Sequence, residues 1–140
     1  MDNKLQNWPH FVLSGDFDPD AITARLGIEP TRSLKAGVMD PETGRSRNTS
    51  YWVLGCGDQD AGCDMQDQVI YMLSQLDSCK AEVAALCDEY RGEFNLFACL
   101  DGNIPGFWLD AYTLRKLAQL NVDMDCRYIR SSEIDGKDGN

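Results

Sequence analysis

Hydrophobic and polar positions alternate along this chain with two periods, and the switches between them mark its elements. Phe11, Val12 and Leu13 are strand formers. Asp18 then supplies an N-cap and Pro19 a first helical residue whose missing N–H costs nothing, while Ile22 and Leu26 fall on one helical face. Gly27 stops that helix, Ile28 can fold back on Ile22, and Pro30 prevents continuation. Near the other end, Phe107, Trp108 and Leu109 read as a strand and Asp110 as an N-cap. Ala111, Leu114, Leu117 and Ala118 recur at helical spacing, with Thr113, Arg115, Lys116 and Gln119 on the opposite face. Asn121 is a left-handed stop. Met124, Cys126 and Tyr128 then alternate with Asp123, Asp125 and Arg127, as in a half-buried strand. The order strand, Asp cap, short helix, stop, aliphatic residue thus occurs twice, as a duplication or as two ordinary strand–helix units.

Between these ends, Thr31 to Ser50 reads as a long loop rich in Gly, Pro, Asp and Arg, with turns at Asp40-Pro41 and Thr43-Gly44. Tyr51 to Gly55 is a strand with Trp52 and Leu54 on one side. An acidic turn follows. From Met65 to Tyr90 two apolar stripes appear, Val69, Met72, Leu73 and Leu76, then Val83, Leu86, Cys87 and Tyr90. Asp77-Ser78 separates them, so two helices are expected, the second capped by Ser78 and stopped by Gly92. Phe94 to Leu100 alternates as a central strand. The sum is an α+β fold: two layers, a mostly antiparallel sheet of about five strands with helices on one face, related to the ferredoxin-like plan. Residues 1–130 form one expected domain and the polar residues 131–140 a disordered tail.

Composition narrows the function classes. A chain of 140 residues with 43% apolar content needs no disulfide or metal to build a core. No run reaches the ~18 apolar residues of a membrane span, and MDNKLQNWPH lacks a signal peptide's apolar core, so a cytoplasmic protein is expected. Cys56, Cys63, Cys79, Cys87, Cys99 and Cys126 show no zinc spacing and read as free thiols, with no metal site and no cofactor. Asp58, Asp60 and Asp64 miss the EF-hand register, since position 12 is Val69 rather than Glu. His10 is the only imidazole and no catalytic set can be assembled around it, so catalytic residues are not expected and the chain is read as non-enzymatic.

Charge supplies the functional reading. The net charge of −10 opposes direct binding to nucleic acid. Ten acidic and two basic residues lie within 58–101, against four basic and two acidic within 31–57. Asp58, Asp60, Asp64, Asp67, Asp88 and Glu89 are therefore expected to meet a basic protein partner, because complementary charge speeds and selects association. The alternative uses Arg32, Lys35, Arg45 and Arg47 of the long loop to hold a small anionic ligand in a regulatory domain.

Phe11, Leu13, Gly15-Asp16, Asp18-Pro19, Ile22-Thr23, Leu26-Gly27-Ile28, Pro30, Gly37 and Trp52, then Leu109-Asp110, Leu114, Leu117-Ala118, Asp123, Asp125 and Tyr128, carry a resemblance. Over residues 10–130 the chain resembles a bacterial family catalogued as domain of unknown function 4279, from which it departs at Asn121, where relatives commonly have glycine. The resemblance implies a small bacterial cytoplasmic protein of this fold and, for some members, a toxin–immunity neighbourhood. It supplies no reaction. Together with the charge pattern it gives the expected function, a protein-binding antagonist. That means an immunity protein covering a basic, nuclease-like toxin, or a phage-encoded inhibitor of a nucleic-acid-binding complex.

Overall fold

The computed structural model describes residues 9–55, 65–100 and 108–130. The expected acidic turn and the polar tail lie outside them. Five strands form one sheet: β1 (His10–Gly15), β2 (Arg32–Leu34), β3 (Ser50–Gly55), β4 (Arg91–Leu100) and β5 (Asp123–Arg130). Their spatial order is β2-β3-β1-β4-β5. β1 pairs antiparallel with both β3 and β4, and β2 antiparallel with β3, whereas β4 and β5 run parallel. The fold is thus α+β with a mostly antiparallel open sheet. Helices α1 (Pro19–Leu26), α2 (Met65–Leu76), α3 (Lys80–Glu89) and α4 (Ala111–Gln119) join the strands.

This order has a simple decomposition. β1-α1-β2 and β3-α2-α3-β4 are each a split β-α-β unit, with one foreign strand between their two strands. Interleaved, they give the ferredoxin-like order across β2-β3-β1-β4. The α4–β5 unit then extends the sheet by a parallel crossover beyond β4. The two cap–helix–stop segments of similar sequence therefore lead on differently: β2 lies beyond a neighbour of β1, whereas β5 lies directly beside β4.

The pleat decides which face is covered. Leu13 lies opposite Trp52, Phe11 opposite Leu54, and Phe11 also opposite Phe94, so these side chains share one face. All are buried, together with Ile22, Leu26, Val69, Met72, Leu76, Val83, Leu86 and Leu117 from the helices. The other face carries Val12, Tyr51, Val53 and Asn95, all half-buried.

The helix ends follow the chemistry of their residues. Asp18 accepts from the Asp20 backbone N–H at 3.0 Å, and Gly27 closes α1 at φ 73°. Asp110 accepts from the Thr113 N–H at 2.8 Å, and Asn121 adopts φ 61° beyond α4. Between α2 and α3 stands a single 3-10 turn, Asp77–Cys79, with Cys79 rather than Ser78 at the start of α3 and no side-chain cap. Tyr90, in extended backbone, ends α3, and Gly92 belongs to β4. Gly92 is needed there for space, because a Cβ would collide with Cys87 Sγ.

Three further expectations are revised. Trp108 and Leu109 are not in a strand. α4 is rotated relative to the stripe read from its aliphatic residues: Thr113, Leu117 and Leu120 are buried, while Ala111, Leu114 and Ala118 are exposed. Met124 and Cys126 lie level with Phe94 and Leu96 but on the edge strand, and are exposed.

Two stability outcomes follow from this packing. Trp52 Nε1 donates to Thr23 Oγ1 at 3.0 Å. Thr23→Val removes the acceptor from a buried donor and is expected to cost about 1–2 kcal/mol in urea unfolding. A double-mutant cycle with Trp52→Phe should return coupling on the order of 1 kcal/mol, and additivity would refute the link. Gly92→Ala should cost about 1–3 kcal/mol through overpacking, and Cys87→Ala should restore part of that loss when combined with it.

Candidate functional site

The helical surface is built by α2 and α4 lying side by side in the same direction. Gln66 Oε1 in the first turn of α2 accepts from the Asp110 N–H at 3.2 Å, joining the two N-terminal ends. Lys116 Nζ lies 3.6 Å from Asp77 Oδ1 at the far ends. Leu73 and Leu76 of α2 and Leu120 beyond α4 line a cavity of about 280 Å³. A second cavity of about 280 Å³ runs alongside, lined by Ile70, Leu73, Ser74, Asp77, Tyr112 and Lys116. Leu73, Asp77 and Lys116 border both, so the two hollows adjoin as a groove along the α2–α4 seam.

Ile70 and Tyr112, the latter 60% exposed, line this groove, and two further large apolar side chains are exposed on the elements that form it: Tyr71 of α2, and Trp108, 69% exposed, two residues before the Asp110 cap. This cluster was missed in the sequence, although its signal was there. Val69, Met72 and Leu76 face the core, which forces Ile70 and Tyr71 outward on a helix. Scattered exposed apolar residues are ordinary, whereas an isoleucine and two tyrosines on α2 and α4, with a tryptophan just ahead of α4, form an anchor set of the kind that interfaces use.

The acidic residues distribute unevenly around this surface. Asp67, in the first turn of α2, is exposed beside Gln66 at the Trp108 end. Asp88 and Glu89 are exposed at the end of α3, away from that turn. Arg25 of α1 bonds Glu82 at 2.7 Å and lies 3.8 Å from Glu89, so part of the α3 charge is neutralised within the fold. Asp77 is likewise shared by Lys80 and Lys116. Asp58, Asp60 and Asp64 lie outside the described residues.

The basic segment is not an open loop. Arg32–Leu34 is a strand paired with β3, and the chain then folds into a hairpin held by Gly37 N–H to Arg47 C=O at 2.9 Å and by a Met39–Ser46 bridge. Asp40, buried where the hairpin turns, accepts from Arg32 Nη2 at 2.7 Å and from the Glu42 N–H at 2.9 Å. Arg32 and Arg47 line a common cavity; Lys35 and Arg45 are exposed and do not.

The thiols described are free. Burial, with Asp123 adding to it, pushes Cys87 up to about 12, which keeps it protonated and inert. His10 sits half-buried in β1 with its ring over Gly55. Among the described residues no three His, Cys, Asp or Glu side chains are grouped to hold a metal ion. No helix among them is long and apolar enough to cross a membrane.

A family model described as Domain of unknown function (DUF4279) matches residues 8–129. No curated protein and no solved structure matches the chain.

Asp110 fixes the start of α4, and with it the positions of Trp108 and Tyr112. The Thr113 backbone N–H it accepts holds its carboxyl below the ordinary 3.8. A carboxyl depressed in the folded state adds stability that is complete above its unfolded value and lost as pH falls through the lowered folded one. The advantage of the native chain over Asp110→Asn, read from urea midpoints, should therefore shrink as pH drops below 3.8. An advantage constant down to strong acid would contradict the charged cap.

Proposed function

We propose that this chain, which belongs to the DUF4279 family, is a protein-binding antagonist that docks a basic partner on its α2–α4 face. The observation that carries the reading is the exposed apolar set of α2 and α4, with Ile70 and Tyr112 lining the groove, Tyr71 on α2 and Trp108 just ahead of α4, and with Asp67 exposed in the first turn of α2. Aromatic anchors supply area at low entropic cost when a partner covers them, and a charged rim selects that partner. Lys116 Nζ lies 5.4 Å from the Tyr112 ring centroid and presents its ring as part of a fixed surface.

The net charge of −10 gives this surface its preference for a cationic partner, and Asp88 and Glu89 act at longer range by steering the encounter. A nuclease-like toxin, or a complex that binds nucleic acid, offers a basic surface of the required kind. The antagonist then works by occupying the surface that would otherwise hold phosphates. This is the work of an immunity protein, and it requires no catalytic residue on this chain.

The test is co-purification of the tagged protein from its native host at low and high salt, repeated with Trp108→Ala/Tyr112→Ala and with Asp67→Lys. A near-stoichiometric basic partner is expected at low salt and reduced at high salt. The aromatic double variant should weaken it about thirtyfold or more, as loss of a hot spot does. Reversing Asp88 and Glu89 together should slow association more than it speeds dissociation. A partner retained equally by the aromatic and acidic variants, or none at either salt, would overturn the proposal.

A further inference from the structure

The open face of the sheet carries a second built feature, independent of the helical surface. Between β2, β3 and the hairpin of residues 35–47 lies a cavity of about 240 Å³, lined by Arg32, Leu34, Asp40, Arg47, Tyr51 and Val53, with Ser33 beside them. Its floor follows from register. Arg32 is opposite Val53 and Leu34 opposite Tyr51, so all four side chains rise from the same face.

The charges in the lining are not equivalent. Arg32 is committed: its Nη2 lies 2.7 Å from Asp40 Oδ2 and its Nη1 3.4 Å from Glu42 Oε1. Asp40 is 3% exposed at its side chain and its other oxygen takes the Glu42 N–H, so this carboxylate is occupied as well. Arg47 differs. Its guanidinium carbon stands 5.6 Å from the Tyr51 ring centroid, and it has no carboxylate partner among the described residues. With Arg32 matched by Asp40 and Glu42, Arg47 is the cation of the lining that has no carboxylate partner among the described residues.

The hairpin holds this arrangement in place before any ligand arrives. Gly37 at φ 85° and Gly44 at φ 72° make its bends, Ser50 Oγ accepts the Ala36 N–H at 2.9 Å, and the Arg47 carbonyl is tied to Gly37. Such preorganisation lowers the cost of binding.

We infer that this cavity binds a small organic monoanion, a carboxylate attached to a flat or aliphatic body. The carboxylate pairs with the Arg47 guanidinium in fork geometry, and the body lies on Leu34 and Val53 beside the Tyr51 ring. One guanidinium without a carboxylate partner among the described residues matches one negative charge. The volume sits below the roughly 300–1,000 Å³ of drug-sized sites and selects a ligand of one or two rings.

The experiment titrates isotope-labelled protein with indole-3-carboxylate and follows the Arg47 side-chain and Tyr51 signals by NMR, with indole and inorganic phosphate as comparisons. Saturable shifts at both residues are expected with indole-3-carboxylate, and none with indole. Arg47→Gln, an exposed position that the core does not need, should weaken binding about tenfold or more, with Arg47→Lys in between. Absence of shifts at millimolar ligand, equal binding by Arg47→Gln, or phosphate binding as tightly as the carboxylate would each overturn the assignment.

Discussion

Everything in this fold is referred to one buried indole. Trp52 is completely enclosed at the middle of β3, packs edge-on against Phe11 of the central strand with ring centroids 6.1 Å apart, and donates its only polar hydrogen to Thr23 of α1. An N–H sealed in an apolar core without an acceptor is costly, so the indole can be buried only where α1 brings a hydroxyl to it. The sheet and its first helix are thereby fixed in one relative position. From α1 the constraint passes outward: Arg25, one turn beyond Ile22, reaches Glu82 and Glu89 of α3 and sets the next helix beside the first.

The elements governed by local chemistry were readable without the structure. Asp18 with Pro19, Gly27, Asp110 and Asn121 each do what their side chains or backbone freedom favour, and the alternation in Phe11–Leu13, Trp52–Leu54 and Phe94–Leu96 assigns the buried face directly. The failures share a cause. Arg32–Leu34 has no apolar alternation of its own and becomes a strand only because β3 offers it an edge. α4 has two candidate faces, and α2 decides between them. Its neighbour's geometry buries Thr113, Leu117 and Leu120 and leaves Leu114 outside, against the preference read from residue type alone. Tertiary packing overrode a pattern that was locally reasonable.

The functional surfaces were legible in the same partial way. Charge counts located acidic and basic segments correctly in sequence, but counts carry no information about pairing. Arg25, Lys80 and Lys116 neutralise carboxylates on the helices, and Asp40 with Glu42 neutralises Arg32. On the sheet side, what remains after this internal pairing is smaller and more local than the sequence implied: Arg47 over Tyr51. Fold-stabilising pairs and recognition charges look alike in a composition, and only the three-dimensional pairing separates them.

The alternation of β3 also explains how one small sheet can present two unrelated surfaces. Trp52 and Leu54 point into the helix layer, while Tyr51 and Val53, one residue displaced, floor the cavity on the other face. A protein partner over α2 and α4 and a small anion beneath the hairpin would therefore not compete for space. Coupling between them would need an element with two packed arrangements, and the strand that separates them is anchored against such movement by the Trp52–Thr23 bond on one face and by pairing to both β1 and β2 along its edges. The sheet is better suited to insulate the two sites than to connect them.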